Sequence, residues 1–227
     1  MISVGFFKHV HKWLTNEGTS EILYRPFETD KNPYKANVFI VGSHPTPTLN
    51  LEIADLQQYA NALVNRKTFN ELFPNYLKTT SRDVKASLRL AESLEEQGLN
   101  TVISYVNALA AKNVTELKKY KKENEVQYKR GTEIFKEVLN EIKPPIILLH
   151  GTYALDQFRL SLKDYFVEYG HPTRSLAELE DEGVFGKIVY EDGTASQVYA
   201  VKSLATYKKD DDQYKQIINR IVNTKTS

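Results

Sequence analysis

The sequence predicts a single α/β domain of three layers, with a central, mainly parallel sheet of four strands and helices on both faces. Three short apolar runs bounded by turn residues, at positions 37–41, 101–106 and 146–149, have the character of buried strands. Helical patterns separate these runs, and strands that alternate with helices usually pair in parallel. A chain of 227 residues can bury about 70% of its unfolded surface in one domain. We therefore assign residues 1–227 to a single domain.

The N-terminal half begins with an amphipathic helix at about residues 4–16, in which Phe6, Val10 and Trp13 recur at helical spacing. This helix is expected to dock on the core. Longer helical patterns follow at about residues 51–63, 80–97 and 123–142.

The C-terminal part does not continue the alternation of strands and helices. Residues 187–190 and 197–201 read as two strands, and Asp192-Gly193 between them is a strong hairpin signal. A last helix ends near residue 222, so the hairpin and helix occupy about residues 187–222. The second strand of the hairpin is expected to complete the sheet.

Composition excludes several kinds of function. The chain has no cysteine, which excludes disulfides, thiolate zinc sites and iron–sulfur clusters and fits a cytoplasmic protein. Its histidines show no metal-ligand spacing, so we expect neither a metal nor an organic cofactor. The longest apolar run covers only residues 144–149, whereas a membrane span needs about 20 apolar residues. A net charge of +1 excludes a strongly basic coat but allows a local basic groove.

The candidate site follows from the predicted sheet. In open parallel sheets, ligands bind outside the carboxyl ends of the strands. The three apolar strands run out into residues 42–50, 107–113 and 150–154. We therefore expect these three segments to border one cleft, with His44, Asn107 and His150 at its rim.

Several motifs resemble the uracil-DNA glycosylase superfamily. Residues 38–45 read Val-Phe-Ile-Val-Gly-Ser-His-Pro, which is similar to its first motif, a strand running into Gly-x-x-Pro. Residues 141–154 resemble its helix-to-strand segment ending in Gly-x-x-Ala. Between them, Tyr59 and the run from Asn65 to Phe69 are closest in pattern to the mismatch-specific and hypoxanthine branch. Here Asn and Phe are four residues apart rather than two, and the usual Trp is missing.

The resemblance implies two candidates for the polar catalytic role. Active members often place Asp, Glu or Asn two residues after the glycine of the first motif, where this chain has His44. A neutral imidazole can accept a proton from water as a general base, whereas an imidazolium would oppose an oxocarbenium-like transition state. Asn65 matches the asparagine that the hypoxanthine branch uses. The alternative is that His44 caps a loop and Asn65 lies on a helix surface.

The resemblance also implies substrate contacts. The loop of the first motif would contact the base and sugar, Phe69 or Tyr59 would stack on the base, and the amide of Asn107 would read its edge. Lys202 and Ser203 stand where the family has His-Pro-Ser, so Lys202 would stabilise the departing base and Ser203 would hold a phosphate. Alternatively, Phe69 is a core residue, Asn107 a cap and Lys202 a solvated side chain. The substrate-binding set is Gly42, Ser43, Pro45, Phe69, Asn107, Lys202 and Ser203.

The densest basic run has an aromatic residue at its centre, Tyr120. Its cations would neutralise backbone phosphates of DNA. Because glutamates flank the run, a solvated helix start is the alternative. The cations are Lys118, Lys119, Lys121 and Lys122.

The resemblance implies a DNA glycosylase that hydrolyses the N-glycosidic bond of uracil, hypoxanthine or another damaged base, and so acts in DNA repair. The alternative is an inactive homologue that binds nucleic acid or a nucleotide in the same cleft. The partner expected is double- or single-stranded DNA, with neither a membrane nor an obligate protein partner.

Overall fold

The computed structural model describes residues 4–15, 22–47 and 55–225. The strands are β1 (Phe27–Glu28), β2 (Val38–Gly42), β3 (Thr101–Tyr105), β4 (Ile146–His150), β5 (Phe166–Glu168), β6 (Val184–Val189) and β7 (Ala195–Val201). The helices are α1 (Val4–Leu14), α2 (Leu56–Ala62), α3 (Arg66–Leu72), α4 (Tyr76–Thr79), α5 (Arg82–Glu96), α6 (Val114–Glu123), α7 (Glu125–Ile142), α8 (Thr152–Ser161), α9 (Leu176–Glu182) and α10 (Asp212–Lys225). Short 3₁₀ turns cover Pro33–Lys35 and Leu204–Thr206.

The strands form one mixed sheet of seven, in the order β1-β3-β2-β4-β7-β6-β5. The α/β class is confirmed, but the predicted strand number of four is wrong. Strands β3, β2, β4 and β7 pair in parallel, whereas β1, β6 and β5 add antiparallel edges. The edge strands β1 and β5 have only two and three residues, which is too short for a sequence pattern to reveal them.

The centre of the sheet needs cover on both faces. Every residue of β2, β3 and β4 is buried, which explains why their sequences are mostly apolar. Thr101, Ser104 and His150 are the buried polar exceptions. The connection from β2 to β3 contains α5, and the return connection from β3 to β4 contains α7. Crossover connections between parallel strands are almost always right-handed. Because these two connections move across the sheet in opposite directions, their helices lie on opposite faces of the sheet.

The N-terminal helix docks on the core, as its pattern predicts. Phe6, Val10 and Trp13 are buried, and the indole Nε1 of Trp13 donates to Glu137 Oε2 of α7 at 2.9 Å. Residue 16 of the predicted helix lies outside the described residues. Burial of this apolar face stabilises α1, which is short for a helix in isolation.

Other predicted elements appear with shifted bounds. Of the helix expected at residues 51–63, the structure describes Leu56–Ala62, with Asp55 as its N-cap, and residues 51–54 lie outside the described part. The hairpin turns at Gly193, whose φ of 82° favours glycine. The second hairpin strand, β7, pairs with β4 and completes the parallel set.

Within the described ranges, no helix combines the length and the apolar character that crossing a bilayer requires.

Candidate functional site

The candidate site lies where the strand connections change direction. From β2 the chain crosses to β3 on one side, and from β4 it proceeds to β7 on the other. Ligands of open α/β sheets bind at such a switch point, outside the carboxyl ends of the two strands. Gly42 ends β2 and His150 ends β4, so the topology brings these two residues to the same edge of the sheet.

A cleft of about 210 Å³ opens at this point. The loop after β2, the first turns of α5 and α6 and the end of β4 form its walls. The lining residues are Gly42, Ser43, His44, Ser81, Asp83, Val84, Ser87, Tyr105, Lys112, Asn113, Val114 and His150.

His44 contributes a neutral imidazole to this cleft. Its Nδ1 lies 2.7 Å from Ser43 Oγ. Burial lowers the pKa of His44 from its usual 6.5 to about 4, and the negative charges of Asp83 and Glu116 offset this only in part. At neutral pH the ring is therefore uncharged, and it does not oppose positive charge that develops on a substrate.

His150 forms the floor of the cleft and is held by α5. Its Nε2 lies 3.0 Å from Ser87 Oγ, and the Ser87 hydroxyl donates to the main-chain carbonyl of Asp83 at 3.0 Å. Because the hydroxyl has a single proton, His150 Nε2–H must be the donor to Ser87. Ser87 is therefore not activated as a nucleophile, since no base accepts its proton.

Gly42 is required for the close packing of this floor. A Cβ at Gly42 would lie 3.0 Å from His150 Nε2 and 3.6 Å from Cδ1 of Tyr105. The first contact is closer than side-chain carbons normally approach. The glycine of the first sequence motif thus lets the imidazole of His150 reach Ser87.

Asp83 joins the cleft to the loop after β7. Ser203 Oγ donates to Asp83 Oδ1. The main-chain N–H of Lys202 donates to Glu180 Oε2 at 3.1 Å, and the hydroxyl of Tyr207 donates to the same oxygen. The buried Glu180 carboxylate therefore anchors the loop that presents Lys202 and Ser203 beside the cleft.

Asn107 does not line the cleft. It is 1% exposed, and its Nδ2 donates to the carbonyl of Tyr128 at 2.9 Å and to Thr132 Oγ1 at 3.0 Å. Its Oδ1 accepts from the N–H of Leu109 at 3.0 Å. Both amide hydrogens of Asn107 therefore hold α7 against the end of β3.

Three other predicted residues lie away from the cleft lining. Asn65 caps α3, its Oδ1 accepting from the N–H of Thr68 at 3.0 Å. Phe69 is 3% exposed and packs in a cluster of aromatic rings, with Phe73 at 5.0 Å between centroids. Pro45 is buried, and its carbonyl accepts from the N–H of Ala111 at 3.0 Å. The structure thus brings together Gly42, Ser43 and His44, with Ser203 joined to them through Asp83.

The basic run lies on α6, which begins at the cleft with Asn113 as its N-cap. Lys118 lies 5.6 Å from the ring of Tyr153, and Lys121 lies 5.5 Å from the ring of Tyr128. Lys119 pairs with Glu123 at 3.7 Å. Like these three cations, Lys122 is exposed.

Asp83 and Ser87 are site residues that the motif comparison did not single out. The two are four residues apart and so lie on one helix face. Ser87 is 2% exposed although it is polar. The sequence signal for Asp83 and Ser87 is that they form a polar pair on the otherwise apolar face of the helix predicted at residues 80–97.

Among the residues that the structure describes, no group of three or more His, Asp and Glu side chains is arranged to hold a metal ion. No protein-family model matches the chain, and no curated protein sequence matches it significantly.

Proposed function

We propose that this chain is a three-layer, uracil-DNA glycosylase-like domain that holds an extruded DNA base in the cleft and hydrolyses its N-glycosidic bond. The observation that carries the proposal is the pairing of a neutral imidazole, His44, with a carboxylate, Asp83, at the switch point of the sheet. The motif at residues 38–45, which resembles the family, contributes Gly42, Ser43 and His44 to the cleft lining.

The reaction needs a general base that accepts a proton from water and an environment that stabilises positive charge on the sugar. As the bond from the sugar to the base breaks, its electron pair leaves with the base and the sugar becomes oxocarbenium-like. A water molecule then adds to the sugar carbon and gives up a proton. His44 accepts that proton at Nε2 in the tautomer in which its Nδ1–H donates to Ser43. The carboxylate of Asp83 offsets the positive charge on the sugar.

The departing base carries negative charge, for which a cation is needed. Lys112 lines the cleft, and Lys202 lies in the loop anchored by Glu180. We assign this role to one of these two side chains.

The size of the cleft supports a small ligand. Its volume of about 210 Å³ is below the ~300–1,000 Å³ of pockets that take drug-sized molecules. A cleft of this volume suits a single base better than a whole dinucleotide. The basic helix α6 begins at the cleft wall, so its exposed lysines lie where a DNA backbone would approach.

One observation favours a second candidate, a nucleotide or nucleic-acid binder without catalysis. Three polar pairs of the cleft are already formed within the protein, namely Ser43 with His44, Ser87 with His150 and Ser203 with Asp83. Such pairing holds the side chains of a binding site in place, which favours binding. Catalysis would also require the general base to contact a water molecule.

The test is a panel of single- and double-stranded oligonucleotides that carry uracil, hypoxanthine, xanthine or a mismatch, assayed for abasic sites by alkaline cleavage. We expect the wild-type protein to release at least one base, and His44→Ala to lose about 10²–10⁴ in rate. Because the pKa of His44 is about 4, activity should persist into mild acid and fall only as the pH approaches this value. Asp83→Asn should also be damaging.

Asp156→Asn is the matched control, since Asp156 is exposed on α8 and does not line the cleft. It should keep the wild-type rate. DNA binding by the wild-type protein without release of any base in the panel would contradict the enzyme and support the binder.

A further inference from the structure

A second groove lies beside the cleft, along another face of α5. It has a volume of about 190 Å³. Three cations at helical spacing line it, namely Arg82, Lys85 and Arg89, and Ala205 of the loop after β7 closes it. No carboxylate lines the groove among the residues that the structure describes.

The cations of this groove are available to a ligand. In the described part of the chain, none of Arg82, Lys85 and Arg89 forms an ion pair. Arg82 and Lys85 are exposed. Lys85 Nζ donates only to an uncharged group, the carbonyl of Lys78, at 3.4 Å. The cluster therefore concentrates positive charge that no ion pair among the described residues neutralises.

Arg89 is held in place at the inner end of the groove. Its Nη2 donates to the carbonyl of Tyr207 at 2.7 Å, and its guanidinium lies 5.5 Å from the ring of Tyr214. A guanidinium that is already ordered loses little further entropy when it binds an anion, and its planar shape suits phosphate oxygens.

The basic run on α6 is a weaker anion site by the same criteria. Lys119 is paired with Glu123, and Glu116, Lys119 and Glu123 line one surface pocket together. Carboxylates thus accompany the lysines of α6, whereas the groove on α5 has cations alone.

The groove and the cleft share one helix. Arg82 of the groove immediately precedes Asp83 of the cleft, in the first turn of α5. From Arg82 to Arg89 the helix rises about 10 Å, which is long enough to lie beside more than one phosphate of a strand. A strand whose base occupies the cleft would therefore pass its neighbouring phosphates along this groove.

We propose that the groove formed by Arg82, Lys85 and Arg89 binds consecutive backbone phosphates of a nucleic-acid strand. This inference rests on the proposed function, because the strand that crosses the groove is the one whose extruded base occupies the cleft. The groove would contact phosphates and not bases, so its contribution to affinity is independent of sequence and depends on salt.

The test measures binding of a labelled oligothymidylate of about 16 nucleotides at several NaCl concentrations from about 50 to 300 mM. In the double variant Arg82→Gln/Lys85→Gln, we expect affinity to fall. The slope of log affinity against log salt should flatten by about 0.7 for each lost contact, hence by about 1.4. An oligomer of abasic nucleotides should show the same flattening, because the bases are not contacted.

The matched control is Lys8→Gln/Lys163→Gln, which removes the same charge at exposed positions outside the groove. This control should keep the wild-type slope. The charge-conserving variant Arg82→Lys/Lys85→Arg should also keep most of the wild-type slope. This variant distinguishes loss of charge from misfolding, because it changes the same side chains and retains their charge.

An unchanged slope in the groove variant, an equal loss in the control or no binding of oligothymidylate at the lowest salt would overturn the proposal. Tight binding of an acidic peptide in place of the oligonucleotide would overturn it as well. Failure to release any base from the panel, with the slope change intact, would remove the glycosylase activity and leave the groove standing.

Discussion

The buried imidazole of His150 predicts a loss of stability in mild acid. His150 is 5% exposed. Burial lowers its pKa from 6.5 to about 4, although the charge of Asp83 acts in the opposite direction. Above pH 6.5 the ring is neutral in the folded and in the unfolded chain. Between pH 6.5 and about 4, only the unfolded chain binds the proton, so the free energy of unfolding falls as the pH falls through this window.

The magnitude follows from the width of that window. One pKa unit corresponds to about 1.4 kcal/mol. The shift of His150 therefore costs about 3 kcal/mol once the pH is below both values, and about 2 kcal/mol at pH 5. This is a large share of the ~5–15 kcal/mol that stabilises a typical domain.

Urea unfolding at about pH 7.5 and pH 5 measures the effect. His150→Gln is the test variant, because an amide is neutral at both pH values and its N–H can still donate to Ser87. We expect its free energy of unfolding to fall by about 2 kcal/mol less than that of the wild-type protein between the two conditions. Acidic residues and His44 titrate in both proteins and largely cancel in this difference.

The control is His171→Gln, which changes an exposed histidine outside the cleft and should follow the wild-type curve. If His150→Gln loses as much stability on acidification as the wild-type protein, the imidazole is already solvated in the folded state and the reasoning is refuted.

Two further substitutions test the packing around the site. A Cβ at Gly131 would lie 2.1 Å from Asn107 Oδ1 and 3.0 Å from the main-chain nitrogen of Leu109, so Gly131→Ala should cost about 1–3 kcal/mol in urea unfolding; wild-type stability would show that α7 can shift freely. Arg25 is 1% exposed and its Nη1 lies 3.5 Å from Glu28 Oε2, so Arg25→Met should cost about 3–5 kcal/mol by removing the ion-pair partner of that buried carboxylate. The double variant Arg25→Met/Glu28→Leu should recover much of this loss, and failure to do so would mean that the pair is not the main contribution of Arg25.

Some features of the site depend on contacts that no local pattern encodes. The sequence places Asn107 directly after a buried strand, which is where a base-reading amide is expected. In the folded chain the amide hydrogens of Asn107 are engaged with Tyr128 and Thr132 of α7. That contact exists because Gly131 lets the helix approach closely, and only the packing of α7 on the sheet reveals it.

The sequence by itself determined the elements whose apolar patterns are long or complete. Strands β2, β3 and β4 are buried on both faces, so their residues are mostly apolar and the runs at residues 37–41, 101–106 and 146–149 identify them. Because parallel strands present their carboxyl ends at one edge, these runs also located the candidate site.

Only the tertiary structure decided which side chains meet there. His150 and Ser87 are 63 residues apart in the chain but 3.0 Å apart in the cleft, and Ser203 reaches Asp83 from a loop 120 residues further on. The edge strands β1 and β5 likewise arise from pairing between segments that are separated in the chain. Local periodicity records which face of an element is buried, whereas the partners across that face are set by how the elements pack.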